Sequence, residues 1–240
     1  MMKKISTLLL ISIVLFFSNY CKAQNSIVES KYTFKNGDYN GIGKWYMGRE
    51  IAYVMGYQGI GWLERSEREK EENVSKLIKN MKIKSNDVIA DIGAGSGYHA
   101  FRIASLARNG LVYAVDIQPE MLMAIEKNKQ ISKIKNIDTI LGTEKSVEIP
   151  KNSVDKILMV DVYHEFSFPV EMIASMKNAL KSNGELFLIE YRMEDPLVPI
   201  KTIHKMSEKQ AVKEMEEAGF KLRKNIDNLP WQHCMIFVKK

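Results

Sequence analysis

The sequence predicts an α/β protein: a seven-stranded sheet flanked by helices, its last two strands a C-terminal hairpin, preceded by an N-terminal arm or lid. Three observations carry this expectation. Short apolar runs alternate with helix-period segments from about residue 83 onward, the pattern of βαβ units on a parallel sheet. Three glycines, Gly93, Gly95 and Gly97, follow the first of those runs. A length of 240 residues suits one such domain with an extension and is short for two.

In chain order, Met1-Met-Lys-Lys4 is a basic start, Ile5 to Phe17 is apolar, and Ala23 is a small residue before Gln24. This is the layout of a secretory signal peptide over 1–23, cleaved near Ala23, and it predicts an exported, periplasmic protein. The alternative is an uncleaved membrane anchor, although the apolar stretch is short of the roughly 20 residues a spanning helix needs. Membrane contact is expected only through that segment. Cys21 offers a lipid-attachment alternative, but Asn19 and Tyr20 before it are bulky for such a site. Cys234 would then be the sole cysteine, excluding an intrachain disulfide and suggesting a small buried hydrophobe.

Residues 24–82 form the expected arm. Up to Trp62 they are polar, glycine-rich and aromatic with no lasting period, so an irregular lid is expected. Leu63–Lys79 is dense in charge with Val74, Leu77 and Ile78 at helical spacing, predicting a helix with one apolar stripe. Residues 83–240 form the domain. Its strands are expected near Val88–Asp91, Leu111–Asp116, Ile137–Leu141, Lys156–Val160, Gly184–Glu190, Lys221–Asn225 and Cys234–Lys239. Its helices are expected near Tyr98–Ala107, Glu120–Gln130, Val170–Leu180 and Ser207–Ala218, with Gly110, Gly184 and Gly219 as left-handed caps after helices.

The formal charge of +6 includes Lys3, Lys4 and Lys22, and without them it is +3. The other basic residues are interspersed with acids, so no concentrated basic face for nucleic acid is expected. The four histidines show no clustered spacing, and no metal site is expected from them, although His204 and His233 could complete a pocket.

The chemistry centres on Val88-Ile-Ala-Asp-Ile-Gly-Ala-Gly-Ser-Gly97: a strand ending in an acid, a glycine turn, then a helix. Such a turn lets backbone approach a ligand at the carboxyl edge of the sheet. A nicotinamide fingerprint would space the glycines differently, and Tyr98 stands where it requires glycine. Asp91 would repel a pyrophosphate but suits a ligand with an ammonium group.

These residues, with Asp116 after the next strand, resemble class I S-adenosylmethionine-dependent methyltransferases of Rossmann-like fold, from about Asp87 to the end of the chain. The resemblance is closest to ubiquinone/menaquinone-type small-molecule methyltransferases. It implies S-adenosylmethionine as cofactor and a small-molecule methyl acceptor. Asp91, Gly93, Ala94, Gly95 and Gly97 would wrap the methionine part, and Asp116, followed by Ile117, would hold the ribose hydroxyls. Where the family has Gly-Asp-Ala near the adenine, this chain has Gly142-Thr-Glu144, leaving either Thr143 or Glu144 for that contact. Met159-Val-Asp-Val-Tyr-His-Glu165 matches the segment facing the sulfonium, which brings in Asp161. Gly41 to Ile51, Trp62 to Arg68 and Leu229 to His233 further resemble a bacterial exported subgroup whose substrate the resemblance does not supply.

Methyl transfer needs chiefly an aligned nucleophile, with a base where the nucleophile must lose a proton. His164 and Glu165 are the candidates, and Glu190, Tyr191 and Arg192 are expected at the same edge to bind a polar substrate or form an ion-pair network. Arg49, Arg65 and Arg68 could hold an anion, and Trp45 and Trp62 could wall its pocket. A different class of function is an exported, non-catalytic protein on the same fold that binds an adenosyl or thioether ligand.

Overall fold

The computed structural model of the chain describes residues 31–240; the signal-peptide expectation for 1–23 lies outside them. Apolar side chains alternating along short strands force burial on two faces, and the chain satisfies this with a central sheet between helical layers.

The arm opens with a small antiparallel sheet, β1 (Tyr32–Phe34), β2 (Gly41–Tyr46) and β3 (Arg49–Ala52). The expectation of an irregular arm is corrected here. Its strands are only three to six residues long and turn tightly through Met47 and Gly48, both at positive φ, so no sustained alternation is visible. Tyr32, Tyr46 and Ile51 form its own core against Phe168 and Val170.

The single helix expected over Leu63–Lys79 is three pieces: α1 (Ile60–Leu63), α2 (Arg68–Glu72) and α3 (Val74–Asn80). Asn73 makes the break by taking a left-handed conformation (φ 54°), and its side chain caps α3 by accepting the Lys76 N–H.

The domain follows as β4 (Val88–Ile92), α4 (Tyr98–Leu106), β5 (Leu111–Asp116), α5 (Pro119–Ser132), β6 (Ile137–Leu141) and β7 (Val154–Val160). It continues with α6 (Pro169–Ala179), β8 (Leu180–Tyr191), α7 (Glu208–Glu217), β9 (Phe220–Asn225) and β10 (Gln232–Lys239). The seven strands pair in the order β6-β5-β4-β7-β8-β10-β9. All pairings are parallel except those of β10, which runs antiparallel to β8 and β9 and closes the C-terminal hairpin. Ile89 and Ala114 pack with Leu77, Ile103 and Ile125 of α3, α4 and α5 on one face; Ala90 and Ile92 pack with Ile173, Met176 and Met215 of α6 and α7 on the other. Among the described residues, no helix is long and apolar enough to cross a membrane.

Of the three glycines expected to cap helices, only Gly219 is left-handed (φ 81°). Gly184 lies inside β8, because α6 passes into that strand at Leu180 without a turn. Gly110 is needed for space: a Cβ there would collide with the Asp87 carbonyl.

One buried ion pair ties the arm to the domain. Arg49 of β3 meets Glu214 of α7 in a two-pronged contact, Nε–Oε1 at 2.9 Å and Nη2–Oε2 at 3.0 Å. The same guanidinium donates to the carbonyl of His164 at 3.0 Å, and Tyr163 donates its hydroxyl to Glu214 at 2.7 Å. Removing one partner strands a charge in a site that excludes water. Arg49→Ala is therefore expected to cost about 3–5 kcal/mol of stability, read by urea denaturation, whereas the double replacement Arg49→Met/Glu214→Leu should cost far less.

Candidate active site

The strand order reverses between β4 and β7: from β4 the chain winds outward through β5 and β6, then returns to β7 on the other side. At such a point the loops leaving two neighbouring strands diverge and open a crevice at their carboxyl ends. The glycine turn leaves β4 there, and a short 3₁₀ turn carrying Tyr163, His164 and Glu165 follows β7.

Gly93, Gly95 and Gly97 adopt φ of 70°, 55° and 86°, conformations that favour glycine. The turn is knitted to β5: Gly93 and Ala94 donate to the Val115 carbonyl, and Gly95 donates to Asp116 Oδ2 at 2.9 Å. Asp116 Oδ1 accepts the Gln118 N–H at 2.9 Å. Both carboxylate oxygens are thus aimed by backbone and retain lone pairs toward the cleft. Beneath the turn, Asp91 is buried and its Oδ2 has no hydrogen-bond partner. Burial pushes its carboxyl up to about 7.

The cleft beside the turn is lined by Gly93, Gly95, Asp116, Ile117, Thr143, Glu144 and Asp161, with Met121 and Phe166 as apolar walls. Thr143 and Glu144 are both exposed on its rim. Its free volume is about 100 Å³, and Val54, Met55 and Leu63 of the arm roof it on one side. Gln118 latches that roof by accepting the Tyr57 N–H at 2.7 Å and donating to the Met55 carbonyl at 3.0 Å.

A second cavity of about 740 Å³ adjoins the first. The two share Val54, Met55, Leu63, Val160, Asp161 and Glu165 as a common wall. Tyr53, Trp62, Tyr191, His164 and His204 line the far side. Asp161 is held at φ 51°, with Oδ2 accepting from Gln232 at 2.6 Å and Oδ1 buried without a partner. Burial, then the nearby Glu72 and Glu190 carboxylates, raise its proton affinity strongly.

The candidate catalytic residues divide. His164 is buried, with Nδ1 2.7 Å from Glu190 Oε2. Burial lowers its proton affinity, but Glu190 more than offsets this. Glu165 is pushed up to about 7 by burial and accepts the Met55 N–H. Tyr191 lines the cavity but gives its hydroxyl to Glu72 at 2.9 Å. Arg192 turns elsewhere, to Asp227 at 2.8 Å and the Leu229 carbonyl, and His233 is taken by Glu194.

The arginines expected to hold an anion are already paired. Arg65 and Arg68 converge on buried Glu72, Arg65 also meets Glu71, and Arg49 is bound to Glu214. Trp62 lines the cavity, stacked under the Arg65 guanidinium, whereas Trp45 sits with Lys35 in the arm sheet. Sequence spacing gave no sign of a histidine cluster, yet the fold brings His204 to His164 and Glu165, with Nδ1 of His204 3.1 Å from Nε2 of His164. Cys234 is buried, its thiol pushed up to about 11 by burial.

The residues present fit an S-adenosylmethionine molecule: an unpaired buried carboxylate for an ammonium, an aimed carboxylate for two hydroxyls, and an apolar slot for a flat base. Fold and site together define a methyltransferase domain of the class I, S-adenosylmethionine-binding kind. The chain belongs to the methyltransferase-domain family, whose pattern matches residues 83–233. It is 27% identical to an uncharacterized methyltransferase, YcgJ, of Bacillus subtilis, over 53% of this chain and 50% of that protein. It is 31% identical to a tRNA U34 carboxymethyltransferase of Helicobacter pylori, over 54% of this chain and 52% of that protein. The chain thus spans about half the length of the curated relatives it matches. In fold it agrees with a crystal structure of a SAM-dependent methyltransferase from Aquifex aeolicus, with a TM-score of 0.72 at 22% identity, covering 77% of this chain and 98% of that one.

The buried Asp91 gives a pH signature. Its value of about 7 lies above that of an unfolded aspartate, so the folded protein holds an extra proton between about pH 4 and 7. Its contribution to stability is lost as pH rises through that window. Asp91→Asn is expected to gain stability relative to the parent between pH 5 and pH 8, and equal urea midpoints at both pH values would remove the assignment.

Proposed function

We propose that this protein transfers the methyl group of S-adenosylmethionine to a small-molecule acceptor seated in the second cavity. The observation that carries this reading is the common wall: the cofactor cleft and a cavity of about 740 Å³ meet at Val160, Asp161 and Glu165. That volume is within the range of small-ligand sites, and its aromatic lining suits an organic acceptor. The tRNA-directed relatives keep a larger acceptor in view, but the aromatic lining by Tyr53, Trp62 and Tyr191 favours a small organic one.

In this reading Asp91 pairs with the cofactor's ammonium, the glycine turn cradles its methionine part, and Asp116 grips the ribose. Ile117, with either Thr143 or Glu144, borders the adenine. When bound, the cofactor supplies an electrophilic methyl group on a sulfonium that is its own leaving group. The chain's task is then alignment and exclusion of water. Asp161, aimed at the junction with a free oxygen, positions an acceptor that donates a hydrogen bond. His164 and Glu165 face the acceptor atom where it must give up a proton. Tyr191 shapes the cavity through its bond to Glu72, and Arg192 braces the β8 end rather than touching substrate.

The arm, residues 24–82, acts as the lid of this site. The position of Val54, Met55 and Leu63 in the lining of the cofactor cleft supports that role, since arm residues then border the space a nucleoside would fill. Residues 1–23 act as a signal peptide that exports the protein. N-terminal sequencing of the protein recovered from the periplasm should begin at Gln24, and an intact Met1 in a cytosolic fraction would refute export.

Calorimetric titration tests the function directly. S-adenosylmethionine and S-adenosylhomocysteine should bind and NAD should not. Asp116→Ala should weaken both adenosyl ligands by about 10–100-fold, the worth of hydrogen bonds to a charged group. Bound ligand should also slow amide exchange over residues 53–63. Tight binding with no methyl transfer to any acceptor would favour the non-catalytic binding protein; no binding by a folded sample would remove both readings.

A further inference from the structure

The cluster beside the cavity junction has the shape of a metal site. Nε2 of His164, Nδ1 of His204 and Oε1 of Glu165 form a triangle with sides of 3.1, 3.8 and 3.8 Å. The centre of such a triangle is about 2.1 Å from each corner, which matches the bond lengths of Zn²⁺ to imidazole nitrogen and carboxylate oxygen. Two imidazoles and one carboxylate converging on one point are a donor set for a divalent transition metal rather than for Ca²⁺ or Mg²⁺.

Two of the three ligands are held from behind. Glu190, fully buried, lies 2.7 Å from Nδ1 of His164 and also accepts that residue's backbone N–H at 3.3 Å. A carboxylate on Nδ1 makes that nitrogen the proton carrier, so Nε2 presents its lone pair to the cluster. The Arg49 guanidinium fixes the His164 carbonyl, and the Met55 N–H fixes Glu165 Oε1. Glu165 and Glu190 supply two negative charges, the number that a divalent cation neutralises. His164, Glu165 and His204 all line the second cavity, so the remaining coordination positions open onto the acceptor space. Three protein ligands and an open side are the pattern of a catalytic rather than a structural metal centre.

We propose that His164, Glu165 and His204 bind one divalent transition-metal ion, of which Zn²⁺ is the type, and that this ion takes the acceptor's oxygen, nitrogen or sulfur atom as a further ligand. The proposal deepens the methyltransferase reading and rests on it for the ion's role, though not for its binding. A metal-bound acceptor loses its proton at neutral pH, as metal-bound water does. The acceptor's lone pair then forms the new bond to the methyl carbon, the carbon–sulfur bond breaks with its electrons returning to sulfur, and the sulfonium leaves as a neutral thioether. The proton passes to solvent. Glu190 is a positioning residue that acts through His164.

Without a metal, a single proton shared between His204 Nδ1 and His164 Nε2 fills the same gap, so the experiment must separate a proton from an ion. Chelator-stripped protein is titrated with Co²⁺, followed by its visible d–d absorption, and then with Zn²⁺ as competitor; S-adenosylhomocysteine affinity is measured on each sample. One Co²⁺ per chain, displaced by Zn²⁺, is expected. His204→Ala and Glu165→Gln should each weaken Co²⁺ binding by more than about 100-fold, and Glu190→Gln by about 10–100-fold, the usual effect of a partner behind a ligand. His204 does not line the cofactor cleft, so retained S-adenosylhomocysteine binding shows that His204→Ala is folded. If that variant does not fold, Glu165→Gln and Glu190→Gln decide the matter. Absence of Co²⁺ uptake, or equal uptake by parent and folded variants, overturns the proposal. Co²⁺ bound as expected with no adenosyl ligand bound keeps the metal site and removes the methyltransferase role built on it.

Discussion

The buried pair Arg49–Glu214 is the constraint on which the rest of the site depends. A guanidinium out of water needs several acceptors, and this one finds them in a carboxylate on α7 and a carbonyl in the turn after β7. Three separate parts of the chain are thereby fixed around one charge: the arm sheet, the C-terminal helix and the turn that carries His164. Tyr163 joins the same carboxylate from the side. Burying the pair sacrifices solvation of both ions, and the return is positional rather than energetic. The arm sheet has a small core of its own, three buried side chains, so this pair adds to its hold on the domain.

The sheet does the remaining positioning. Parallel strands deliver their carboxyl ends to one edge, and the reversal of order between β4 and β7 opens that edge. The acids Asp91, Asp116, Asp161 and Glu190 all lie at or just beyond strand ends. Placing four carboxylates so near one another is costly, and the chain offsets it by backbone donors to Asp116, Gln232 against Asp161, and His164 against Glu190. Those that lack full compensation have raised proton affinity, chiefly through burial. The strained backbone of Asp161 fits this pattern, for a non-glycine residue at φ 51° needs surroundings that hold it there.

Most of the domain was legible in the sequence because its signals are local. Strand runs, the glycine turn and the helix-period segments each lie within a few residues, and all seven strands fall near the apolar runs that predict them. The arm sheet was not legible, since strands of three to six residues leave no period to detect. Asn73 carried a usable sign, a residue tolerant of left-handed backbone between two charged helical stretches, and the periodicity of Val74, Leu77 and Ile78 hid it. At the site, Asp116 and the glycines could be picked out by motif. The partners of Arg49, Arg65 and Arg68 could not, because charge composition does not say which acid a basic residue will find. His204 lies 40 residues from His164, and only the return of the chain after β8 makes them neighbours.

Val54, Met55 and Leu63 of the arm line both cavities at once. A displacement of these three side chains therefore reshapes both compartments together. In kinetic terms, the two compartments communicate through one shared wall: an occupant of either that braces Val54, Met55 and Leu63 also sets the shape of the space offered to its neighbour.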